Sequence, residues 1–252
     1  MNRSEHIYVA TVAQDCREAA LEYGLGLESD AFCTALNLDD PTAVREELSL
    51  MGSVERRVLH GPFNELCPAA IDPLVREITA RRYAQAWDMA LRMGASKLVI
   101  HSGFIPLIYF PEWFIGQSVL FWQGFFRERA GDITVCLENV LEGDLAIPRE
   151  IVREVNDPRL RLCLDVGHVH CNPKAQPVEA WIRNWAPWLS HVHLHNNDRS
   201  WDTHSGLDQG TIPMEETLEL LATLAPGATW TLETLEARPA CRWLREHHWI
   251  EE

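Results

Sequence analysis

The feature that most narrows the fold of this chain is an alternation. Eight short apolar, strand-like runs (7–12, 25–28, 57–60, 97–101, 133–138, 161–165, 191–195 and 229–233) take turns with eight segments of helical period, near 15–23, 42–50, 73–93, 112–129, 148–155, 178–188, 214–224 and 239–246. Several helical segments open on proline or end near glycine, as with Gly24 and Gly94. Composition does not change along the chain, so residues 1–252 are expected to form one domain. Eight βα units in 252 residues match the size of a closed (β/α)8 TIM barrel. A doubly wound open sheet is the alternative, but no Gly-x-Gly-x-x-Gly follows the first strand.

The strand candidates share an ending: apolar residues, one His, Asp or Glu, then a small or polar residue. Leu59-His60-Gly61, Ile100-His101-Ser102, Leu137-Glu138-Asn139, Leu164-Asp165-Val166 and Leu232-Glu233-Thr234 follow this phrase, with His191-Val192-His193-Leu194-His195 as a variant. In a parallel barrel the carboxyl ends of all strands meet on one face, which makes neighbours of these residues despite their distance in sequence. Packed without a cation, such carboxylates and imidazoles would repel one another and suffer desolvation, a cost of about several kcal/mol that a divalent metal removes. His168, three residues beyond Asp165, and the segment Asp202-Thr203-His204 are expected to fold over the same mouth from loops. His193 and His195 lie on one face of their strand, so either could be its ligand. Oxygen and imidazole donors without thiolate suit Zn, Mn, Co or Fe(II). Cys136 and Cys163, two residues before Glu138 and Asp165, are read as small barrel-interior residues.

The balance of 22 Lys and Arg against 37 Asp and Glu, a net charge of -15, argues against wide contact with a phosphate backbone. A small-molecule substrate is expected, with duplex nucleic acid unfavoured. No apolar stretch approaches the roughly 20 residues of a membrane span, and the opening residues lack a secretory apolar core. Seven cysteines without CxxC spacing suit reduced thiols, so the expectation is a soluble, cytoplasmic protein.

Taken in order, His60-Gly61-Pro62-Phe63, His101-Ser102-Gly103, Leu137-Glu138-Asn139, Leu164-Asp165-Val166-Gly167-His168, His193-Leu194-His195-Asn196-Asn197-Asp198, Asp202-Thr203-His204 and Leu232-Glu233-Thr234 resemble the xylose isomerase-like TIM-barrel superfamily. That superfamily includes sugar and sugar-phosphate isomerases and epimerases, together with endonuclease IV-like enzymes of AP endonuclease family 2. The resemblance implies a central metal on Glu138, Asp165, His193 and Glu233. It implies a second on His60 and His101 with bridging Glu138, and a third on His168, Asp202 and His204. One to three ions per chain, zinc or manganese first among them, follow from it. The Asp-Val-Gly-His and His-Leu-His-Asn-Asn phrases are nearer the small-substrate branch than the endonuclease one.

Two chemistries follow from the resemblance. In the first, a metal-dependent isomerase or epimerase of a small sugar, sugar phosphate or related polyol uses Glu138 and Glu233 as acid/base groups, with His168 on a substrate oxygen. In the second, two or three zinc ions activate water against a phosphoester. Glu28, Trp113, Arg199, Trp201 and His195 are further candidates for substrate contact, and Tyr109 with Trp113 for a lid. Trp181, Trp185 and Trp188, at helical spacing, are expected to pack or to form a homo-oligomer contact.

Overall fold

A computed structural model describes residues 2–251. Its strands are β1 (Ile7–Ala10), β2 (Gly26–Ser29), β3 (Arg57–His60), β4 (Lys97–His101), β5 (Thr134–Glu138), β6 (Leu160–Asp165), β7 (Leu189–Leu194) and β8 (Thr229–Leu232). All neighbours pair in parallel, and β8 returns to β1, closing the barrel. The expected TIM barrel is therefore the observed fold.

The helices are α1 (Cys16–Tyr23), α2 (Pro41–Met51), α3 (Pro73–Met93), α4 (Pro111–Arg127), α5 (Ala146–Val155), α6 (Val166–Cys171), α7 (Val178–Trp185), α8 (Met214–Leu224) and α9 (Ala237–Glu246). Local chemistry sets several of their starts. Asp40 caps α2 by accepting from Thr42 N at 2.8 Å, and Asp72 caps α3 by accepting from Leu74 N at 2.8 Å, each just ahead of a proline in the first turn.

Alternation along the strands divides the core in two. Outward-facing residues meet the helices in one large cluster that holds the fully buried Trp87, Trp122, Trp181, Trp185 and Trp230. Inside the barrel, Tyr8, Val58, Val99, Cys136 and Cys163 form a separate small cluster, as expected for the two cysteines. Gly26 makes room for it, since a Cβ there would lie 2.4 Å from the Tyr8 ring. Trp181 and Trp185 pack edge to face in the core, and Trp188 is half-buried against it.

Most boundaries shift by a residue or two from the sequence expectation, and a few of the shifts bear on the site. The first strand ends at Ala10 rather than at residue 12, because the chain turns there and leaves Val12 exposed. β7 and β8 stop at Leu194 and Leu232, placing His195 and Glu233 one residue past the sheet. His168 lies in helix α6 rather than in a loop. Asp165 Oδ1 accepts from His168 N at 2.7 Å and so starts that helix.

Candidate metal centre

The inward parity that puts Val58, Val99, Cys136 and Cys163 inside the barrel carries two residues further to His60, His101, Glu138 and Asp165. Register then sets them side by side: His101 is opposite Glu138, and Asp165 is opposite His193. His193 Nδ1 lies 3.3 Å from Glu138 Oε1, 3.7 Å from Asp165 Oδ2 and 3.2 Å from Glu233 Oε2. Two ligands bonded at about 2.1 Å to a tetrahedral ion are separated by about 3.4 Å. Each carboxylate therefore stands from His193 Nδ1 at about the spacing of two ligands on one ion. His193 Nδ1 and Glu233 Oε2 are buried without a hydrogen-bond partner, as atoms meant for a cation would be.

Between the two histidines that sequence left open, geometry separates the roles. His193 Nε2 is taken by Glu28 Oε1 at 3.1 Å, which turns Nδ1 toward the three carboxylates. His195 Nε2 contacts both oxygens of Asp165 at 3.1 Å, and its ring stacks on His204. His195 thus holds Asp165 in place through Nε2, while its buried, unpartnered Nδ1 lies 3.7 Å from Asp202 Oδ1 in the outer group with His204 and Glu233.

Glu138 faces two ways. Its Oε2 lies 3.1 Å from His60 Nε2 and 3.5 Å from His101 Nε2, opposite the His193 side. His168 Nε2 and His204 Nε2 lie 3.1 and 3.2 Å from Asp202 Oδ2. Both outer groups share a device. A backbone carbonyl can only accept, so His60 Nδ1 donates to Gly61 O at 3.0 Å, His168 Nδ1 to Asn139 O at 3.0 Å and His204 Nδ1 to Glu233 O at 2.9 Å. Each ring therefore presents its Nε2 to a carboxylate: without an ion the carboxylates favour a proton there, and a divalent cation between ring and carboxylate would take that proton's place. The residues present therefore fit a central divalent ion and two further ones.

Electrostatics agree with that demand. Burial alone would raise Glu138 and Asp165. Histidines dominate instead, His193 for Glu138 and His168 for Asp165, and hold both carboxyls well below the usual range. Burial pushes His101 down to about 3, which keeps it neutral. It would also depress His204, but Asp202 lifts that ring to about 9.

The loop that brings Asp202 and His204 over the mouth is pinned by Asn196. Its Nδ2 donates to Leu207 O at 2.8 Å and its Oδ1 accepts from Ile212 N at 3.0 Å. Asn139 clamps the Asp165 backbone through Asp165 N at 3.0 Å and Asp165 O at 3.1 Å. Both asparagines follow a strand-end His or Glu, a signal that sequence reading quoted without assigning it a role.

Other expected contacts fall differently. Glu28 is buried inside the barrel, with its oxygens bonded to His191 and His193, so it lies below the mouth rather than against a substrate. Arg199 is exposed and lines a groove of about 710 Å³ behind α6 with His170 and Thr211, away from the donor cluster. Trp201 is 75% exposed beside Asp202. Trp113 stacks on Tyr109, which lines a cavity of about 410 Å³ next to His101 together with Phe63, Phe104 and Leu141. Phe63, which sequence reading gave no role, stacks on His101 at 4.0 Å between ring centroids.

A closed barrel that gathers nine His, Asp and Glu side chains at its mouth has the make-up of a barrel that could hold metal ions. The chain belongs to the xylose isomerase-like TIM barrel family, whose model matches residues 13–252. It is 30% identical over 200 residues to the uncharacterized protein MJ1311 of Methanocaldococcus jannaschii, covering 73% of this chain and 66% of that one. Among solved structures it is similar to a D-tagatose 3-epimerase-like protein, with a TM-score of 0.77 at 22% identity over 96% of this chain and 97% of the other. The TTHB071 protein of Thermus thermophilus, soaked with zinc chloride, matches with a TM-score of 0.77 at 23% identity and the same coverage. Among the described residues, no helix is long and apolar enough to cross a membrane.

Proposed function

We propose that this protein is a divalent-metal-dependent isomerase or epimerase acting on a small sugar, sugar phosphate or related polyol. The observation that carries the reading is the pairing of Glu138 and Glu233 on one imidazole nitrogen, at 3.3 and 3.2 Å from His193 Nδ1, inside a family whose solved relatives include an epimerase-like protein. Glu138, Asp165, His193 and Glu233 would hold the ion. A bound divalent ion supplies Lewis acidity, making the carbon beside a substrate carbonyl more acidic. Within the pair, Glu233 is the better placed to move a proton. Its side chain is 15% exposed against 1% for Glu138, and its Oε2 has no hydrogen-bond partner. Glu138, gripped by His60, His101, His168 and His193, stays ionised and completes the acid/base pair. His168 is placed to bind a substrate oxygen, and the Tyr109–Trp113 stack to shield the mouth from water.

The supporting experiment is solvent-deuterium incorporation into a panel of sugars and sugar phosphates by zinc- or manganese-loaded protein. Exchange at a carbon next to a carbonyl, lost in Glu233→Gln, is the expected result.

A second reading is favoured by the locked histidines of the two outer groups, which suit a two- or three-zinc phosphoester hydrolase. With 37 acidic against 22 basic residues, such an activity would be directed at a small phosphoester before duplex DNA. Metal-dependent cleavage of an abasic-site duplex or a small phosphodiester, without deuterium exchange, would replace the first reading with this one.

A further inference from the structure

Beneath the mouth, a chain of hydrogen bonds runs through the barrel from its amino-terminal end to the donor cluster. At the bottom, Lys97 Nζ contacts Thr229 Oγ1 and Ser190 O, both at 2.5 Å. Thr229 Oγ1 lies 2.5 Å from His191 Nδ1, and His191 Nε2 lies 2.9 Å from Glu28 Oε2. Glu28 Oε1 lies 3.1 Å from His193 Nε2, and Thr231 also donates to Glu28. Glu28, His191, His193 and Thr231 are all 1% exposed or less.

The directions of the protons that meet Glu28 are forced. An ammonium has only donors and a carboxylate only acceptors. Lys97 therefore donates to Thr229 Oγ1, and the Thr229 hydroxyl is free to give its own proton to His191 Nδ1. A neutral His191 then carries its proton on Nε2 and donates to Glu28. Glu28 accepts again on its other oxygen, so His193 must carry its proton on Nε2. Nδ1 is left as the nitrogen facing Glu233, Glu138 and Asp165 at 3.2 to 3.7 Å, open to an ion once any second proton has left.

We propose that Glu28 is a positioning residue for the metal centre: with Lys97, Thr229 and His191 it fixes the His193 tautomer and presents Nδ1 to the ion. The inference rests on the metal reading above. It assigns to Glu28 a task on the far side of His193 from any substrate. A carboxylate behind a ligating histidine raises its basicity and fixes its ring, and losing such a partner costs about 10–100-fold in metal affinity.

Two measurements test it. In metal-free wild-type protein, long-range ¹⁵N–¹H NMR of the imidazoles should find a proton on His193 Nε2, alone or with a second one on Nδ1, whereas a ring protonated on Nδ1 alone overturns the proposal. Zinc affinity, read by competition with a chromophoric chelator, should fall about 10–100-fold in Glu28→Gln. The amide must donate to one of its two histidines and so breaks the forced direction. Thr229→Val, which keeps the side-chain shape and removes the hydroxyl that joins Lys97 to His191, should weaken affinity in the same sense by a smaller factor, and it serves if Glu28→Gln does not fold. Wild-type protein that binds zinc while a folded Glu28→Gln binds it equally well refutes the role of Glu28. Wild-type protein that binds no divalent ion refutes the metal reading itself, whatever the tautomer.

Discussion

Replacing Gly167 by alanine isolates one of the closest approaches at the site. A Cβ at residue 167 would lie 1.9 Å from His195 Cε1 and within 2.5 Å of both ring nitrogens. The ring must withdraw by about 1.5 Å to reach ordinary contact, yet His195 is fully buried and bonded to both oxygens of Asp165. Overpacking of this kind costs about 1–3 kcal/mol, and losing a hydrogen bond to a charged group costs about 1.5–3 kcal/mol. Together they predict a loss of roughly 2.5–6 kcal/mol, or a fall of roughly 5–24 °C in melting temperature for a chain of this size. Zinc affinity should fall as well, because Asp165 moves with its partner. Gly116→Ala is the matched control: it lies within α4 with nothing within 4 Å of the added methyl, and should stabilise by up to about 1 kcal/mol. Calorimetry and chelator competition on both variants make the test. A Gly167→Ala protein that melts within about 1 °C of wild type and keeps its zinc affinity would show that His195 is not held against Asp165 as described.

Three further outcomes are expected. Glu233→Gln should reduce turnover by at least about 10²-fold while its melting temperature stays near that of wild type, and comparable turnover with metal bound would remove Glu233 from the acid/base pair. His60→Ala and His101→Ala should each lower the number of zinc ions measured per chain by elemental analysis, and an unchanged count would mean that these rings line a pocket without holding an ion. In metal-free protein, His204 is raised from about 6.5 to about 9 by Asp202, so the stability it contributes is fully present below pH 6.5 and is lost as pH rises through 9. Urea unfolding in a chelator should show that decline, and stability rising over the same interval would contradict the His204–Asp202 pairing.

The barrel and the identity of its donors were legible in the sequence for a physical reason. A strand has a side-chain period of two, so a polar residue ending an apolar run in the same register as the interior residues must emerge at one shared mouth. That rule reaches His60, His101, Glu138 and Asp165 without any knowledge of contacts. It cannot divide His193 from His195, since both share one strand face, and the choice rests on what stands opposite: Glu28 claims one nitrogen of His193, and Asp165 claims one of His195. Helix α6 escaped because six residues are too few to show a helical period, although Asp165 is a good cap. Arg199, near Asp202 in sequence, turns outward into a separate groove with φ at 73°, a backbone choice that no neighbouring residue announces. The link from Lys97 to His193 joins β4, β8, β7 and β2, whose adjacency across the barrel interior exists only once the sheet has closed. Residue type and period thus settled which side chains reach the mouth, whereas the tautomer and partner of each were decided by tertiary packing, because a hydrogen bond depends on which atoms meet at about 3 Å.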